Sequence, residues 1–458
     1  MRVIICGADK VGASIAAYLA REENDVTVID PSEELVSQIN DTMDVNAIAG
    51  KPSNPEVLKN AGANEADMII AVTTSDETNM ISCQIAHSLF GVPKKIARIR
   101  DQSFLDPVWS NLFSRSHMPI DVIISPETLI AEDIFRRISV PGTTSVISMA
   151  DERLYLIGVI CAEDCPVINT QLSQLKNLFP DLSFGVVSIT RQNRHIIPDG
   201  DDMLEVGDEA YIIVDTRHLR RVMAAFGHLE KEARKIIVSG GGNIGYSFIK
   251  LIKSRLSGIQ IKVIEQNTER ANFLSEKLED IIILNGDTLD RALLEEAAID
   301  KSEAYIALMN DDESNILGSL LAKQYGCERV LTLVNNNAYY PLVGPLGVDV
   351  MISPRATLVS HIMQHVRRGR IRGIYNVRDG FAEAIEAEAS DSSFVVNKKI
   401  SDLELPREIT FAAVVRGENI IIPDGNTEIR KGDIAIVWAQ GEKAHIVEKL
   451  FSVSANML

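Results

Sequence analysis

From residue 2 to about residue 138, short apolar runs alternate with helical stretches of 3.6-residue period. Strands are expected at 2–6, 26–30, 46–49, 68–72, 96–100 and 121–125, and helices at about 11–22, 32–40, 54–61 and 77–90. The strands are apolar throughout rather than alternating, as in a parallel sheet covered on both faces. A further helix from Pro126 to about Ile138 stops at Pro141-Gly142. From Ser145 the pattern turns strand-rich, with LYLIGVI, FGVVSIT and EAYIIV, one short helix at 171–178, and turns at Pro198-Asp199-Gly200 and Gly207-Asp208.

The whole pattern then recurs. Val3–Gly12 (VIICGADKVG) matches Ile236–Gly245 within IIVSGGGNIG, and VTVID matches IKVIE. MIIAVTTSDETN parallels AYIALMNDDESN, KKIARIRD parallels ERVLTLVN, and DVIISPETL parallels DVMISPRATL. In the strand-rich part HIIPDG matches IIIPDG, and EVGDEAYIIV matches IRKGDIAIVWA. A repeat of half the chain is far too long for a solenoid and reads as a tandem duplication of a two-domain module. The expected class is α/β: two doubly wound Rossmann-like domains at 1–142 and 234–370, each followed by a small α+β domain, at 143–230 and 371–458.

Gly240-x-Gly242-x-x-Gly245 sits between a strand and a helix, where a dinucleotide fingerprint belongs. The first glycine allows the turn, the second lets a pyrophosphate approach, and the third lets helix and strand pack. Phosphates then meet free N–H groups at the positive end of the helix. Glu265 lies 25 residues after Gly240 (265 − 240), near where a ribose-binding acid belongs. The ligand-facing positions are therefore Gly240, Gly241, Gly242, Asn243, Ile244 and Glu265, with Asp287 placed to accept from an adenine amino group. With no arginine read beside Glu265, a free 2′-hydroxyl is favoured: NAD(H), ADP or ATP rather than NADP.

Asp30, 23 residues after Gly7 (30 − 7), plays the same part in the first half. There Asp9 replaces the middle glycine and brings a negative charge to the pyrophosphate position, to be offset by a cation or Lys10. Arg98 and Arg100 alternate on the fifth strand, so only one of them can face a ligand; the gap-free match puts Thr332 and Val334 opposite them.

Other features carry less chemistry. His361 and His365 have metal-ligand spacing, but Ile362 stands where a HExxH motif needs glutamate, so a solvated or interface helix face is the better reading. Asp76-Glu77 and Asp312-Glu313 begin helices and read either as caps or as ribose or metal contacts. The five cysteines form no CxxC pair, and Cys161 and Cys165 read as ordinary small residues at a strand end. The run Arg367, Arg368, Arg370 and Arg372 is a local basic patch. Dehydrogenase chemistry needs a base beside the nicotinamide, and no Ser…Tyr-x-x-x-Lys set is found; no catalytic or metal-binding residue is assigned.

Composition narrows the partners. The 458 residues carry a formal net charge of −18, which repels nucleic acid and anionic membrane. No apolar run approaches the roughly 18 residues of a membrane span, and the chain enters a strand directly after Met1 and Arg2, so neither a span nor a signal peptide is expected.

The order of the four domains, with VTTSDETNM, IARIR and GGGNIG in place, resembles the RCK/KTN family of potassium-transport regulators over essentially the whole chain. The resemblance implies RCK-C type small domains and a non-enzymatic, cytoplasmic subunit, peripheral on the cytosolic face of the inner membrane. It further implies a homo-oligomeric ring, dimer or tetramer, that gates a TrkH-like potassium-translocating membrane protein when nucleotide binds. Carried over by residue, one nucleotide site is Gly7, Ala8, Asp9, Lys10, Val11, Asp30, Thr73, Thr74 and Arg98, and the other is Gly240 to Ile244 with Glu265. An NAD-dependent oxidoreductase and a nucleotide sensor for a different membrane transporter remain the alternatives.

Overall fold

The computed structural model describes every residue except 22–23, 193, 344, 367–370, 378–380, 442 and 452–458. The first sheet is built from β1 (Arg2–Cys6), β2 (Asp25–Asp30), β3 (Asn46–Ala49), β4 (Met68–Ala71), β5 (Lys94–Arg98) and β6 (Val122–Ile124). Its helices are α1 (Lys10–Arg21), α2 (Glu33–Thr42), α3 (Pro55–Asn60) and α4 (Asp76–Phe90), with α5 (Pro126–Ser139) leaving it. All its strand pairs are parallel, in the order β3-β2-β1-β4-β5-β6. The order reverses between β1 and β4, which places the ligand crevice at the carboxyl end of β1. β1 and β4 are buried almost end to end, which is why their sequence shows no alternation.

The first small domain is antiparallel: β7 (Thr143–Met149), β8 (Leu154–Ile160), α6 (Leu172–Leu178), β9 (Phe184–Arg191), β10 (Arg194–Ile196), β11 (Glu209–Asp215) and α7 (Leu219–Ala225), in sheet order β10-β9-β11-β8-β7. Cys161 and Cys165 are free thiols buried in its core.

The second half repeats both sheets. Its doubly wound part comprises β12 (Lys235–Ser239), α8 (Asn243–Arg255), β13 (Gln260–Glu265), α9 (Thr268–Lys277), β14 (Ile282–Asn285), α10 (Arg291–Glu296) and β15 (Ala304–Ala307). It continues through α11 (Asp312–Gln324), β16 (Arg329–Leu333), α12 (Tyr340–Val343), β17 (Val350–Ile352) and α13 (Pro354–Val366), in sheet order β14-β13-β12-β15-β16-β17. The second small domain has β18 (Ile371–Val377), β19 (Ala382–Glu388), β20 (Lys398–Lys399), β21 (Ile409–Arg416), β22 (Asn419–Ile421), β23 (Glu428–Ile429), β24 (Ile434–Gln440) and α14 (Ala444–Phe451). Its main sheet, β18-β19-β24-β21-β22, has the topology of the first small domain, so the duplication seen in sequence is a duplication of fold.

The residues gather into two compact units that do not follow chain order. One is Met1–Ile130 together with Pro354–Val366, and the other is Ala131–Ser353 with Arg367–Leu458. Helix α13, expected to complete the second Rossmann-like domain, thus packs in the first unit, against α1 and β6. Most of α5 lies in the second unit. Each exchanged helix ends on a cation from the β-strand that receives it. Lys94 at the start of β5 donates to the carbonyl of His365, and Arg329 at the start of β16 donates to the carbonyls of Arg137 and Thr143 at 3.0 Å each. The last carbonyls of a helix have no partner within it, and a cation meets both that need and the dipole.

Within the second unit the two small-domain sheets share a core in which Tyr211 and Trp438 meet at 5.6 Å between ring centroids. Trp438 is fully buried and its indole Nε1 has no hydrogen-bond partner among the described residues.

Two stability outcomes are expected. Trp438→Ala costs about 3–5 kcal/mol, whereas Trp438→Phe costs much less because it also removes an unpaired buried donor. Denaturant titration checks this, and equal costs for the two variants would contradict it. Arg329→Ala strands two carbonyls and costs about 1–3 kcal/mol; a melting temperature equal to wild type would show that Arg329 does not hold α5.

Candidate functional site: two glycine loops

Each doubly wound sheet brings a glycine loop to the carboxyl end of its first strand. In the second half, Gly240 has φ +100°, and a Cβ on it would lie 2.8 Å from the carbonyl of Leu308. A Cβ on Gly245 would lie 2.2 Å from the Gly240 oxygen. The fold alone therefore requires these two glycines. Gly242 differs: a Cβ there would meet nothing within 4 Å. No protein atom accounts for a glycine at this exposed position, which opens α8, a 13-residue helix without a side-chain cap.

Glu265 is tied to this loop. Its Oε2 accepts from Gly241 N and its Oε1 from Asn267 N, both at 2.8 Å. Asp30 does the same in the first half, with Ala8 N and Ser32 N at 2.8 Å. The expected ribose acids thus first brace the glycine turn, and each oxygen keeps a lone pair for a hydroxyl donor. Asp287 is exposed and closes its own turn by accepting from Leu289 N at 2.9 Å; no hydrogen bond joins it to the glycine loop among the described residues.

The expectation that no arginine neighbours Glu265 is corrected by the tertiary structure. Arg270, on the first turn of α9, donates from Nε to the Gly241 carbonyl at 2.7 Å and from Nη2 to Asn243 Oδ1 at 3.5 Å. Its guanidinium lies 4.7 Å from the Phe273 ring centroid and 5.8 Å from that of Tyr246. The turn after β13 folds back and brings the cation to the loop. The inference of a free 2′-hydroxyl from a missing arginine therefore loses its basis.

The first loop is differently occupied. Asp9 Oδ1 accepts from Val11 N and Gly12 N at 3.0 Å each, capping α1, and its Oδ2 meets Arg98 Nη2 at 3.2 Å. Arg98 is almost wholly buried and also gives Nε and Nη2 to the Thr73 carbonyl, at 3.2 and 2.7 Å. Burial pushes its guanidinium below the ordinary arginine value, and the Asp9 charge opposes that shift. The cation expected to offset Asp9 is thus Arg98; Lys10 is exposed. Thr73 is held by Asn79, and Thr74 is exposed.

Asn79 and Asn315 are site-shaping residues that sequence reasoning left without a role. Asn79 accepts from Thr73 N and donates to the carbonyls of Thr73 and Arg98. Asn315 likewise accepts from Met309 N and donates to the carbonyls of Met309 and Leu333. Both are fully buried, and each clamps the ends of two neighbouring strands. Their shared place in DETN and DESN was the available signal.

These clamps also fix the register of the repeat. Arg98 corresponds to Leu333 and Arg100 to Asn335, not to Thr332 and Val334. β5 and β16 begin at Lys94 and Arg329, whereas setting KKIARIRD on ERVLTLVN puts Lys94 against Glu328, so that match slips by one. A slip of one exchanges the two faces of a strand. Arg98 is thus matched by a buried apolar residue, and its exposed neighbour Arg100 by another polar one.

Asp76 and Asp312 do not act as the caps of their helices. Ser75 and Asp311 cap α4 and α11 by accepting from Thr78 N and Ser314 N. Asp76 instead accepts from Arg100 N and Asp101 N, and Asp312 from Asn335 N and Asn336 N, pinning the chain as it leaves the fifth strand of each sheet. His361 and His365 stack edge to face with ring centroids 5.1 Å apart on α13, and burial with nearby Lys94 pushes His365 below its ordinary value. Arg367, Arg368 and Arg370 lie outside the described residues, while Arg372 pairs with Asp151 at 3.2 Å and Glu386 at 3.5 Å.

Comparison with known proteins agrees with this architecture. The TrkA-N domain model matches residues 3–126 and 236–354, and the TrkA-C domain model matches 156–227 and 385–452. The chain is 44% identical to the Trk system potassium uptake protein TrkA of Azorhizobium caulinodans, over 99% of each chain. In structure it resembles the GsuK RCK domain, with TM-score 0.60 and 15% identity over 98% of this chain and 94% of that one. It also resembles the GsuK channel bound to NAD, with TM-score 0.61 and 16% identity over 98% and 78%. Two TrkA-N and two TrkA-C domains in alternation, two RCK-type doubly wound sheets and full-length likeness to a curated relative show that the chain belongs to the TrkA family of Trk potassium-uptake proteins.

Proposed function

We propose that this chain is the nucleotide-responsive regulatory subunit of a Trk-type potassium-uptake system. It works without bond chemistry, as a dimeric or tetrameric ring on the cytosolic face of the inner membrane, against a TrkH-like potassium-translocating protein. The reading assigns translocation to that partner; no helix among the described residues is long and apolar enough to cross a membrane.

The observation that carries the nucleotide half of this reading is Gly242, a glycine that no protein contact demands at the uncapped start of α8. Free helix-start amides and a dipole attract an anion there. Arg270 adds a cation held at the loop by Gly241 and the Phe273 ring, and Glu265 offers lone pairs to a ribose. A nucleotide diphosphate, as in NAD(H), ADP or ATP, satisfies all three groups. NAD in the GsuK channel structure points the same way.

Regulation then follows from linkage. A nucleotide shifts the ring toward the conformation it binds better, by no more than its differential affinity. Helix α13 follows the last strand of the second doubly wound sheet and packs in the first unit.

Arg270→Ala is expected to weaken ADP or NAD binding by roughly 10-fold or more in calorimetric titration, as loss of a charge-assisted contact does; unchanged affinity for ADP, ATP, NAD and NADH would remove the second loop from the reading. Reconstituted with the TrkH-like channel, the wild-type chain should make potassium flux nucleotide-dependent, and Arg270→Ala should raise the nucleotide concentration required. Flux indifferent to both chain and nucleotide would overturn the regulatory role.

A further inference from the structure

We infer that Asp9 is a built-in anion that fills the phosphate position of the first glycine loop, so that the chain takes diphosphate nucleotide at the second loop alone. This rests on the nucleotide reading above and narrows it to one of two otherwise equivalent loops.

The two loops superpose by motif: Gly7 on Gly240, Ala8 on Gly241, Asp9 on Gly242 and Gly12 on Gly245. A bound pyrophosphate in such a loop makes two kinds of contact, with the free amides of the helix start and with a nearby cation. In the first loop both are already made by a side chain. Asp9 Oδ1 holds Val11 N and Gly12 N at 3.0 Å, and Oδ2 holds the Arg98 guanidinium at 3.2 Å. Arg98 is itself immobilised by the Thr73 carbonyl, which Asn79 fixes in turn. A phosphate entering here would displace a carboxylate from three donors and stand beside its charge.

The second loop lacks each of these. The residue at the Asp9 position is Gly242, α8 has no side-chain cap, and Leu333 replaces Arg98. Its cation, Arg270, comes from a different helix and takes no carboxylate at the loop among the described residues; it rests on the Gly241 carbonyl, Asn243 and an aromatic ring. One loop is closed on its own anion and the other is open to a foreign one.

The open space around Gly242 makes the exchange testable in both directions, because an aspartate there meets no protein atom at its Cβ. Bound ADP per chain is counted by equilibrium dialysis for the wild type, Asp9→Gly, Gly242→Asp and the double variant. The expected counts are about one, two, none and one, the double variant binding at the first loop. Gly242→Asp adds a helix cap rather than removing one, so it answers the question even if Asp9→Gly does not fold. Two ADP per wild-type chain, or binding retained in Gly242→Asp, overturns the assignment of Asp9. Absence of ADP, ATP, NAD and NADH binding from all four proteins overturns the nucleotide reading itself, and the role of Asp9 with it.

Discussion

The first amides of the helix that follows β1 or β12 have no acceptor inside that helix, and both loops are built around that deficit. The third glycine lets the helix approach so closely that a Cβ on Gly12 or Gly245 would lie 1.9 or 2.2 Å from the oxygen of the first glycine. This aims the unsatisfied N–H groups at the carboxyl edge of the sheet, where the strand order reverses. What meets those amides is then the chemical question. In the first half it is Asp9; in the second the chain supplies no side chain.

Around each loop the supporting contacts are the same. A carboxylate from the second strand braces the turn, a buried asparagine clamps the two strands beyond the switch point, and a buried aspartate pins the fifth strand's exit. The asparagines and aspartates among them are buried, so their removal leaves desolvated backbone partners. They hold the two loops in matching frames that differ at Asp9 and Gly242.

The exchanged helices extend the same economy. Lys94 and Arg329, at equivalent strand starts, each receive the carboxyl end of a helix from the other half of the sequence. A two-domain module that had kept its own connecting helix would satisfy those carbonyls locally. Here α13 belongs with the first unit and most of α5 with the second.

Much of this was legible in the amino-acid sequence, for identifiable reasons. Apolar runs of strand length, glycines at spacings two and three, and a repeat of half the chain are local or periodic, and they determined the doubly wound sheets, the duplication and the two loops. The finer pairings were not. Arg98 reaches Asp9 across 89 residues, and Arg270 comes back onto Gly241 through a turn whose path no periodicity encodes. The match of Arg98 to Leu333 depends on a connection one residue shorter in the second half, and strand pairing alone reveals it. Which helix packs on which unit is likewise a matter of tertiary contact. Sequence by itself determined what each segment is; the folded chain decided which distant charge stands beside it.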